Sequence, residues 1–99
     1  MEVRVRLTGA FREWVGAPEV SLEVPAGATL RDLLAALAAR SPRFGQRVGS
    51  SLADEAELSD RVLAVAGDRV LRGGDLLPEG IEVSLFPPIH GGAPGWGGP

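Results

Sequence analysis

The feature that most constrains this chain is a strand-like segment that runs directly into two prolines and, two residues later, into two glycines. Apolar and polar residues alternate over 81–86, which predicts a final β-strand. Pro87 and Pro88 end this strand, because proline has no N–H to give to a ladder. Gly91 and Gly92 have no Cβ, so the backbone there is narrow and free to adopt unusual dihedral angles. A stiff stem with a narrow tip suits insertion into an active-site channel of another protein, which predicts that the functional group lies on the backbone of the tip.

Length and composition limit the classes of protein to consider. Ninety-nine residues with 44% apolar content predict one small globular domain. A net charge of −3 and the lack of any Lys/Arg-rich run argue against a nucleic-acid partner. No apolar run approaches the roughly 20 residues that span a bilayer, and no signal-peptide pattern precedes Val3, so we expect a cytoplasmic protein without a membrane partner. Cysteine is absent, which excludes disulfides, thiolate metal ligands and a cysteine nucleophile.

All ten basic residues are arginine, and the chain has no lysine. A genome with GC-rich codons or a warm growth temperature accounts for this bias. Its chemical consequence holds whatever the cause: a guanidinium stays protonated and is not a nucleophile, so no side chain of this protein accepts an isopeptide bond. Only the amine of Met1 remains for such a bond.

The N-terminal half predicts two strands, joined by an elaborated turn, and then the clearest helix of the chain. Alternation over 2–7 and 20–24 predicts the strands, and the apolar spacing within 10–15 predicts a helical turn between them. The helix begins at Thr29, which forms a candidate capping box with Asp32. Four leucines at helical spacing are predicted to face the core: Leu30, Leu33, Leu34 and Leu37.

The C-terminal half predicts further short strands. The segment 42–60 is the least regular, and within it 54–57 fits a solvated loop or a short helix. Its carboxylates lack the spacing of a metal-binding loop, so no metal site is predicted. Strands are predicted over 61–66 and 69–71, with a turn at Gly67-Asp68. The final strand is expected to place three residues on the core: Ile81, Val83 and Leu85.

The order of these elements predicts an α+β fold. A right-handed crossover through the helix places a later strand parallel to an early one, which is the β-grasp (ubiquitin-like) arrangement. We therefore expect a mixed sheet of four to five strands packed on one main helix. The β-grasp domain is predicted to span residues 1–88, and residues 89–99, which are mostly Gly and Pro, are predicted to form a flexible tail.

Four stretches between residues 2 and 92 carry a family resemblance. They are the opening strand, Phe11-Arg12-Glu13-Trp14-Val15-Gly16, Thr29-Leu30-Arg31-Asp32-Leu33-Leu34, and the ending Val83-Ser84-Leu85-Phe86-Pro87-Pro88-Ile89-His90-Gly91-Gly92. Together they resemble the MoaD/ThiS-type ubiquitin-like sulfur carriers, whose chains end in a strand followed by P-P-x-x-G-G. The double proline makes the chain most similar to the small subunit of molybdopterin synthase.

The resemblance implies a chemistry that needs no side chain of this protein. In that family an E1-like adenylating enzyme uses ATP to activate the terminal glycine carboxylate, which is then converted to a thiocarboxylate. Carried over, Gly92 bears the adenylate and then the thiocarboxylate, and Gly91 provides the clearance to reach it. The chain itself is expected to bind no cofactor and to serve as a non-catalytic carrier subunit. The catalytic groups would belong to the E1-like enzyme and to the molybdopterin synthase large subunit.

One departure from the family pattern is that seven residues follow Gly92. An amide cannot be adenylated as a free carboxylate, so we expect a processing protease to cut the bond between Gly92 and Ala93. Alternatively, removal of Pro99 would free a second pair, Gly97-Gly98, which reaches up to roughly 40 Å beyond the strand against roughly 20 Å for Gly92. A third interpretation is a carrier that has lost its chemistry.

A partner-binding face is predicted on the side of the sheet opposite the core. Val62, Ala64 and Phe86 are expected to alternate onto this face, flanked by Arg4 and Arg6. The alternative is that the segment 42–60 covers the face. With the residues that follow the strand, the predicted partner-binding set is Phe86, Pro87, Pro88, Ile89, Val62 and Ala64.

Three classes of function stay open on the sequence. The first is sulfur donation in molybdopterin (molybdenum cofactor) biosynthesis. The second is a sulfur carrier for another pathway, or a protein modifier that joins its glycine to lysines on targets. The third is a non-catalytic β-grasp adaptor. His90 and Trp96 fit exposed tail residues, with a catalytic role and an anchor for the protease as their respective alternatives.

Overall fold

The computed structural model describes residues 1–87, and these form one mixed sheet with helices on a single side. The strands are β1 (Glu2–Leu7), β2 (Glu19–Glu23), β3 (Leu63–Ala66), β4 (Arg69–Leu71) and β5 (Val83–Phe86). The helices are α1 (Ala10–Val15), α2 (Leu30–Arg40), α3 (Pro42–Val48) and α4 (Glu55–Arg61), with a 3-10 helix at Gly49–Ala53 between the last two. None of the helices in this part of the chain is long and apolar enough to cross a bilayer.

The sheet has the order β2-β1-β5-β3-β4, with β1 and β5 paired in parallel and all other neighbours antiparallel. Its buried face follows from period-two alternation: Val3, Val5 and Leu7 of β1 are buried while the residues between them are exposed. Val5 lies beside Val83, which brings the first and last strands together at the centre of the core. The predicted α+β class and β-grasp arrangement are confirmed, with five strands.

The turn between β1 and β2 contains the predicted short helix. α1 ends at Gly16, whose left-handed φ of 88° closes the helix at little steric cost. Phe11 is buried, and the centroid of its ring lies 5.5 Å from the ring centroid of Trp14 and 5.3 Å from that of Phe44. This aromatic contact joins α1 to α3, so the elaborated turn closes one end of the core.

Helix α2 begins as the sequence predicts. The hydroxyl of Thr29 accepts a hydrogen bond from the backbone N–H of Asp32, and the Asp32 carboxylate accepts one from the N–H of Thr29. Ser41 ends the helix and also caps α3, because its side chain accepts from the N–H of Phe44. The predicted leucine stripe is buried: Leu30, Leu33, Leu34 and Leu37.

The segment that the sequence left least defined is helical. α3, the 3-10 helix and α4 follow α2 almost without a break, and Asp54 caps α4 by accepting from two backbone N–H groups. Phe44, Val48 and Leu58 are buried among the core residues. Of the two interpretations of 54–57, the short helix is confirmed. The segment contributes these residues to the core on the helical side of the sheet, so the alternative in which it covers the opposite face is wrong.

A polar contact holds these added helices to the loop after β4. The Glu55 carboxylate accepts hydrogen bonds from Arg31 Nη2 and from the N–H of Gly73, each at 3.0 Å. Arg31 also donates through Nε to the carbonyl of Leu52 at 2.7 Å. One carboxylate thereby connects α2, α4 and the loop that leads to β5.

The third and the last strand each begin two residues later than predicted, whereas the second strand is shifted by only one residue, to Glu19–Glu23. The third strand begins at Leu63 rather than at 61, because α4 continues through Arg61. The last strand begins at Val83 rather than at Ile81, because the chain turns at Gly80, with φ of 74°, before it reaches the side of β1. Ile81 is therefore 46% exposed and does not face the core.

Candidate functional site

The end of β5 is held at the centre of the sheet, which fixes where the C-terminal segment begins. β5 lies between β1 and β3, so both of its edges are paired. The carbonyl of Leu85, one residue before the strand ends, accepts hydrogen bonds from the backbone N–H of Thr8 at 3.3 Å and from Thr8 Oγ1 at 3.0 Å. A segment that leaves a central strand starts from one of the most constrained positions of the fold.

The predicted reactive glycines follow the end of this strand in the sequence after four intervening residues. Phe86 and Pro87 belong to the described part of the chain, and Phe86 is 36% exposed. The other predicted residues of the segment lie outside the described residues: Pro88, Ile89, His90, Gly91 and Gly92. Their assigned roles stay predictions, as does the domain boundary at residue 88.

The face of the sheet away from the helices carries four apolar side chains, which we call the apolar patch: Leu63, Val65, Val70 and Phe86. Leu63 lies opposite Phe86, and Val65 lies opposite Val70, so the four form two cross-strand pairs on β3, β4 and β5. Leu63 is 41% exposed and Val70 is 61% exposed. Adjacent apolar side chains exposed on one face are typical of a protein-binding surface.

The prediction that Val62 and Ala64 contribute to this face is wrong. Val62 is 7% exposed and Ala64 is 1% exposed, and both belong to the core. Every residue from 62 to 66 is apolar, so no polar residue marks which face of this strand is exposed. Register with β5 settles it, because Ala64 lies opposite Leu85, a core residue, and Leu63 lies opposite Phe86.

The residues that sequence reasoning missed are therefore Leu63, Val65 and Val70. A signal for them was present in the antiparallel hairpin, because a turn at Gly67-Asp68 places Val65 opposite Val70. Val70 lies in a three-residue edge strand whose buried residue is Leu71. Once Leu71 is assigned to the core, Val70 must point to the other face.

Arg4 and Arg6 lie on the same face of the sheet as the patch, as the sequence predicts. Arg6 lies beside Ser84 of β5 on the same face, and Arg4 Nη2 lies 3.4 Å from a carboxylate oxygen of Glu19. A hydrogen bond with Glu82, and after it the charge of Arg4, lowers the pKa of Glu19. The same hydrogen bond raises the pKa of Glu82, since its protonated carboxyl is the donor.

The comparison with known families matches nearly the whole chain. The sequence model of the ThiS family matches residues 5–92, so the match ends at the second glycine of the pair and leaves residues 93–99 outside it. Small archaeal modifier protein 1 of Haloferax volcanii is 31% identical over 87 residues, which cover 88% of this chain and 97% of the relative.

Solved structures show the same fold. The crystal structure of Haloferax volcanii small archaeal modifier protein 1 superposes with a TM-score of 0.73 at 29% identity, covering 89% of this chain and 98% of the other. A Pyrococcus furiosus protein provisionally described as molybdopterin converting factor, subunit 1, superposes with a TM-score of 0.71 at 26% identity, covering 90% and 99%. With sequence and architecture in agreement, this chain belongs to the ThiS family and is of the ubiquitin-like small modifier or sulfur carrier type.

Proposed function

We propose that this protein is a sulfur carrier whose Gly92, once freed from residues 93–99, is adenylated, converted to a thiocarboxylate and used in molybdopterin biosynthesis. The observation that carries the proposal is the end of the family match at Gly92, directly after the segment that leaves β5. The likeness to the Pyrococcus furiosus molybdopterin converting factor protein supports molybdopterin as the destination of the sulfur.

The proposed chemistry requires no catalytic side chain from this protein. A carboxylate is a poor electrophile. When its oxygen attacks the α-phosphorus of ATP and pyrophosphate leaves, the glycyl carbon gains AMP as a leaving group. Hydrosulfide then attacks the glycyl carbon, the C–S bond forms as the C–O bond to AMP breaks, and loss of the proton leaves the thiocarboxylate and free AMP. ATP and the groups that position it belong to the E1-like activating enzyme, so this chain supplies only an acyl group on a well-placed segment.

The apolar patch is the surface on which we place the activating enzyme and the synthase large subunit. It contains Phe86, the last residue of β5, so a partner that covers the patch is already adjacent to the start of the C-terminal segment. Arg4 and Arg6 lie on the same face and give an approaching partner a charged border. Aromatic and arginine side chains are enriched among the residues that contribute most to binding.

The test compares two forms of the protein, the full chain and a chain that ends at Gly92. Both keep every described helix and strand, since the last of these ends at Phe86. Incubated with an E1-like enzyme, ATP and a sulfur donor, only the form that ends at Gly92 is expected to gain the mass change of a sulfur-for-oxygen exchange.

A chain that ends at His90 is the control, because it keeps the proline stem and lacks both glycines. Equal conversion of the full chain, or of the chain that ends at His90, would contradict the proposal. Intact mass of protein from its native cell shows whether the protease acts at the Gly92–Ala93 bond.

A second candidate function is protein modification, and the 31% identity to a small archaeal modifier protein favours it. It uses the same activated glycine and differs in the acceptor, which is then a lysine amine on a target. The absence of lysine leaves only the Met1 amine for linkage to another copy. That amine already donates to the carbonyl of Val24 at 2.8 Å and pairs with Glu23 at 3.0 Å. We therefore expect single attachments and no chains.

The two acceptors can be told apart by peptide mass spectrometry. No lysine or arginine follows Arg72, so trypsin would leave residues 73–92 attached to any modified lysine. Such branched peptides would favour the modifier, whereas co-purification of a synthase large subunit without them would favour sulfur donation. An adaptor would show neither and would not react with the E1-like enzyme.

A further inference from the structure

The loop that follows β1 makes two contacts with the end of β5 that the proposed chemistry does not use. The first is the pair of hydrogen bonds from Thr8, at 3.3 Å from its N–H and 3.0 Å from its hydroxyl, to the carbonyl of Leu85. The parallel ladder ends at the pair Leu7 and Leu85, so these bonds extend the connection between the two strands by one residue. They hold the last peptide groups of β5 in a defined orientation.

The second contact is between Gly9 and Pro87. Gly9 has φ of 57° and ψ of −136°, a conformation that residues with a Cβ rarely adopt. A Cβ at this position would lie 3.0 Å from Cγ and 3.4 Å from Cδ of the Pro87 ring. The backbone of Gly9 and the ring of the first proline are therefore in close contact, and a Cβ at residue 9 would require the ring to shift by a few tenths of an ångström.

A comparison with Gly16 shows that a positive φ does not by itself bring another residue into contact with a glycine. Gly16 also has a positive φ, of 88°, but a Cβ there would meet no atom within 4 Å. Glycine at position 16 allows the left-handed backbone conformation that ends α1. Glycine at position 9 allows a positive φ and also leaves space for the Pro87 ring. Gly16 supplies a control for positive φ without the Pro87 contact. The backbone strain from alanine is larger at Gly9, because its ψ of −136° lies outside the left-handed helical region that Gly16 occupies. The double-mutant cycle with Pro87 therefore isolates the contact.

We infer that Thr8 and Gly9 are positioning residues that set the direction in which the chain leaves the sheet at Pro87. Thr8 orients the carbonyl of Leu85, and Gly9 admits the Pro87 ring against the backbone. The inference rests on the proposed function for its consequence: a fixed departure at Pro87 raises the fraction of encounters in which Gly92 enters the active site of the activating enzyme. Both residues act through their contacts with Leu85 and Pro87.

The expected kinetic signature separates positioning from general destabilisation. Thr8→Val removes the hydroxyl and keeps the size of the side chain, and it changes no side chain of the apolar patch. Binding to the activating enzyme should then be unaffected, so KM for the carrier stays constant. Measured in chains that end at Gly92, kcat for adenylation should fall about two- to tenfold, which is the usual worth of one hydrogen bond. Thr8→Ser keeps the hydroxyl that donates to the carbonyl of Leu85, so its kcat should equal that of the parent.

The test at Gly9 uses a double-mutant cycle. Gly9→Ala should lower kcat more than Gly16→Ala does, although both variants are less stable than the parent. Pro87→Ala removes the ring atoms that the new Cβ would meet, so the double variant should recover part of the loss. Losses that simply add, or a loss for Gly16→Ala equal to that for Gly9→Ala, would overturn the inference.

A second measurement tests the positioning without any enzyme. In the full chain, residual dipolar couplings of the Phe86 and Ile89 amides, referred to the amides of β1, report the direction of the chain around the prolines. Thr8→Val and Gly9→Ala should change these couplings, and Thr8→Ser and Gly16→Ala should leave them as in the parent. Unchanged couplings in the first two variants would refute the inference. Failure of the unsubstituted chain that ends at Gly92 to be adenylated would instead refute the proposed function, with the couplings still deciding the role of Thr8 and Gly9.

Discussion

The assignment of the two faces of β3 can be tested by placing one charge on each side of the sheet. We compare Ala64→Asp on the buried face with Val70→Asp on the neighbouring edge strand. Ala64 is 1% exposed and lies opposite the core residues Leu71 and Leu85, whereas Val70 is 61% exposed on the apolar patch. Both changes introduce the same side chain, so differences between them report the environment.

The structure predicts very different losses of stability. A carboxylate buried without a partner costs about 3–5 kcal/mol, and added atoms in a packed core cost about 1–3 kcal/mol more. Ala64→Asp should therefore lose about 4–8 kcal/mol, a large part of the 5–15 kcal/mol that stabilises a typical domain. At Val70 less than half of the side chain is buried, so the lost apolar contact amounts to about 1 kcal/mol.

Urea denaturation followed by circular dichroism measures both losses, and Ala64→Asn and Val70→Asn are the uncharged controls. Val70→Asp should stay folded and raise the KM of the activating enzyme for the carrier about tenfold, because its charge enters the apolar patch. A folded Ala64→Asp variant with normal stability, or an unfolded Val70→Asp variant, would show that the face assignment is wrong. A folded Val70→Asp variant with unchanged KM would remove the patch from the binding surface.

Two further predictions concern charged groups. Glu55→Ala should lower the unfolding free energy by about 1–3 kcal/mol, because it leaves the N–H of Gly73 unpaired. Glu57→Ala, in the same first turn of α4, is the control and should lower it less. Equal losses for the two variants in urea denaturation would contradict this prediction. In an NMR titration Glu82 should titrate at higher pH than Glu19. Glu19→Ala removes the hydrogen-bond partner and should lower the pKa of Glu82. An unchanged pKa of Glu82 in this variant would contradict the prediction. Linkage gives the sign of the effect on folding stability. Because folding raises the pKa of Glu82, its contribution to the unfolding free energy is present in acid and is lost as the pH rises through that raised pKa. Because folding lowers the pKa of Glu19, its contribution is present at higher pH and is lost as the pH falls through that lowered pKa.

Local patterns in the sequence were sufficient wherever one face of an element is marked by polar residues. β1 alternates arginine with apolar residues, so its core face could be read directly. The start of α2 is specified by two side chains three residues apart, Thr29 and Asp32. These features depend on neighbours along the chain, and the structure confirms them.

The helices between 42 and 61 needed tertiary contacts to define them. α3 and α4 are short, and a short helix alone has too few hydrogen bonds to offset its nucleation cost. Burial of Phe44 and Leu58, together with the contact of Glu55 with Arg31, stabilises them in place. None of these contacts follows from local spacing.

Local sequence patterns were enough to predict the β-grasp order of elements and the capped helix, which the structure confirms. The proline stem that ends in two glycines stays a prediction. Which residues of β3 face the core was decided by tertiary contacts alone, because every residue of this strand is apolar and either set could be buried. Pairing of Ala64 with Leu85 and of Leu63 with Phe86 selects Ala64 for the core. The contact between Gly9 and Pro87 was likewise decided by the fold, since it joins residues that are distant along the chain and adjacent only once β1 and β5 are paired.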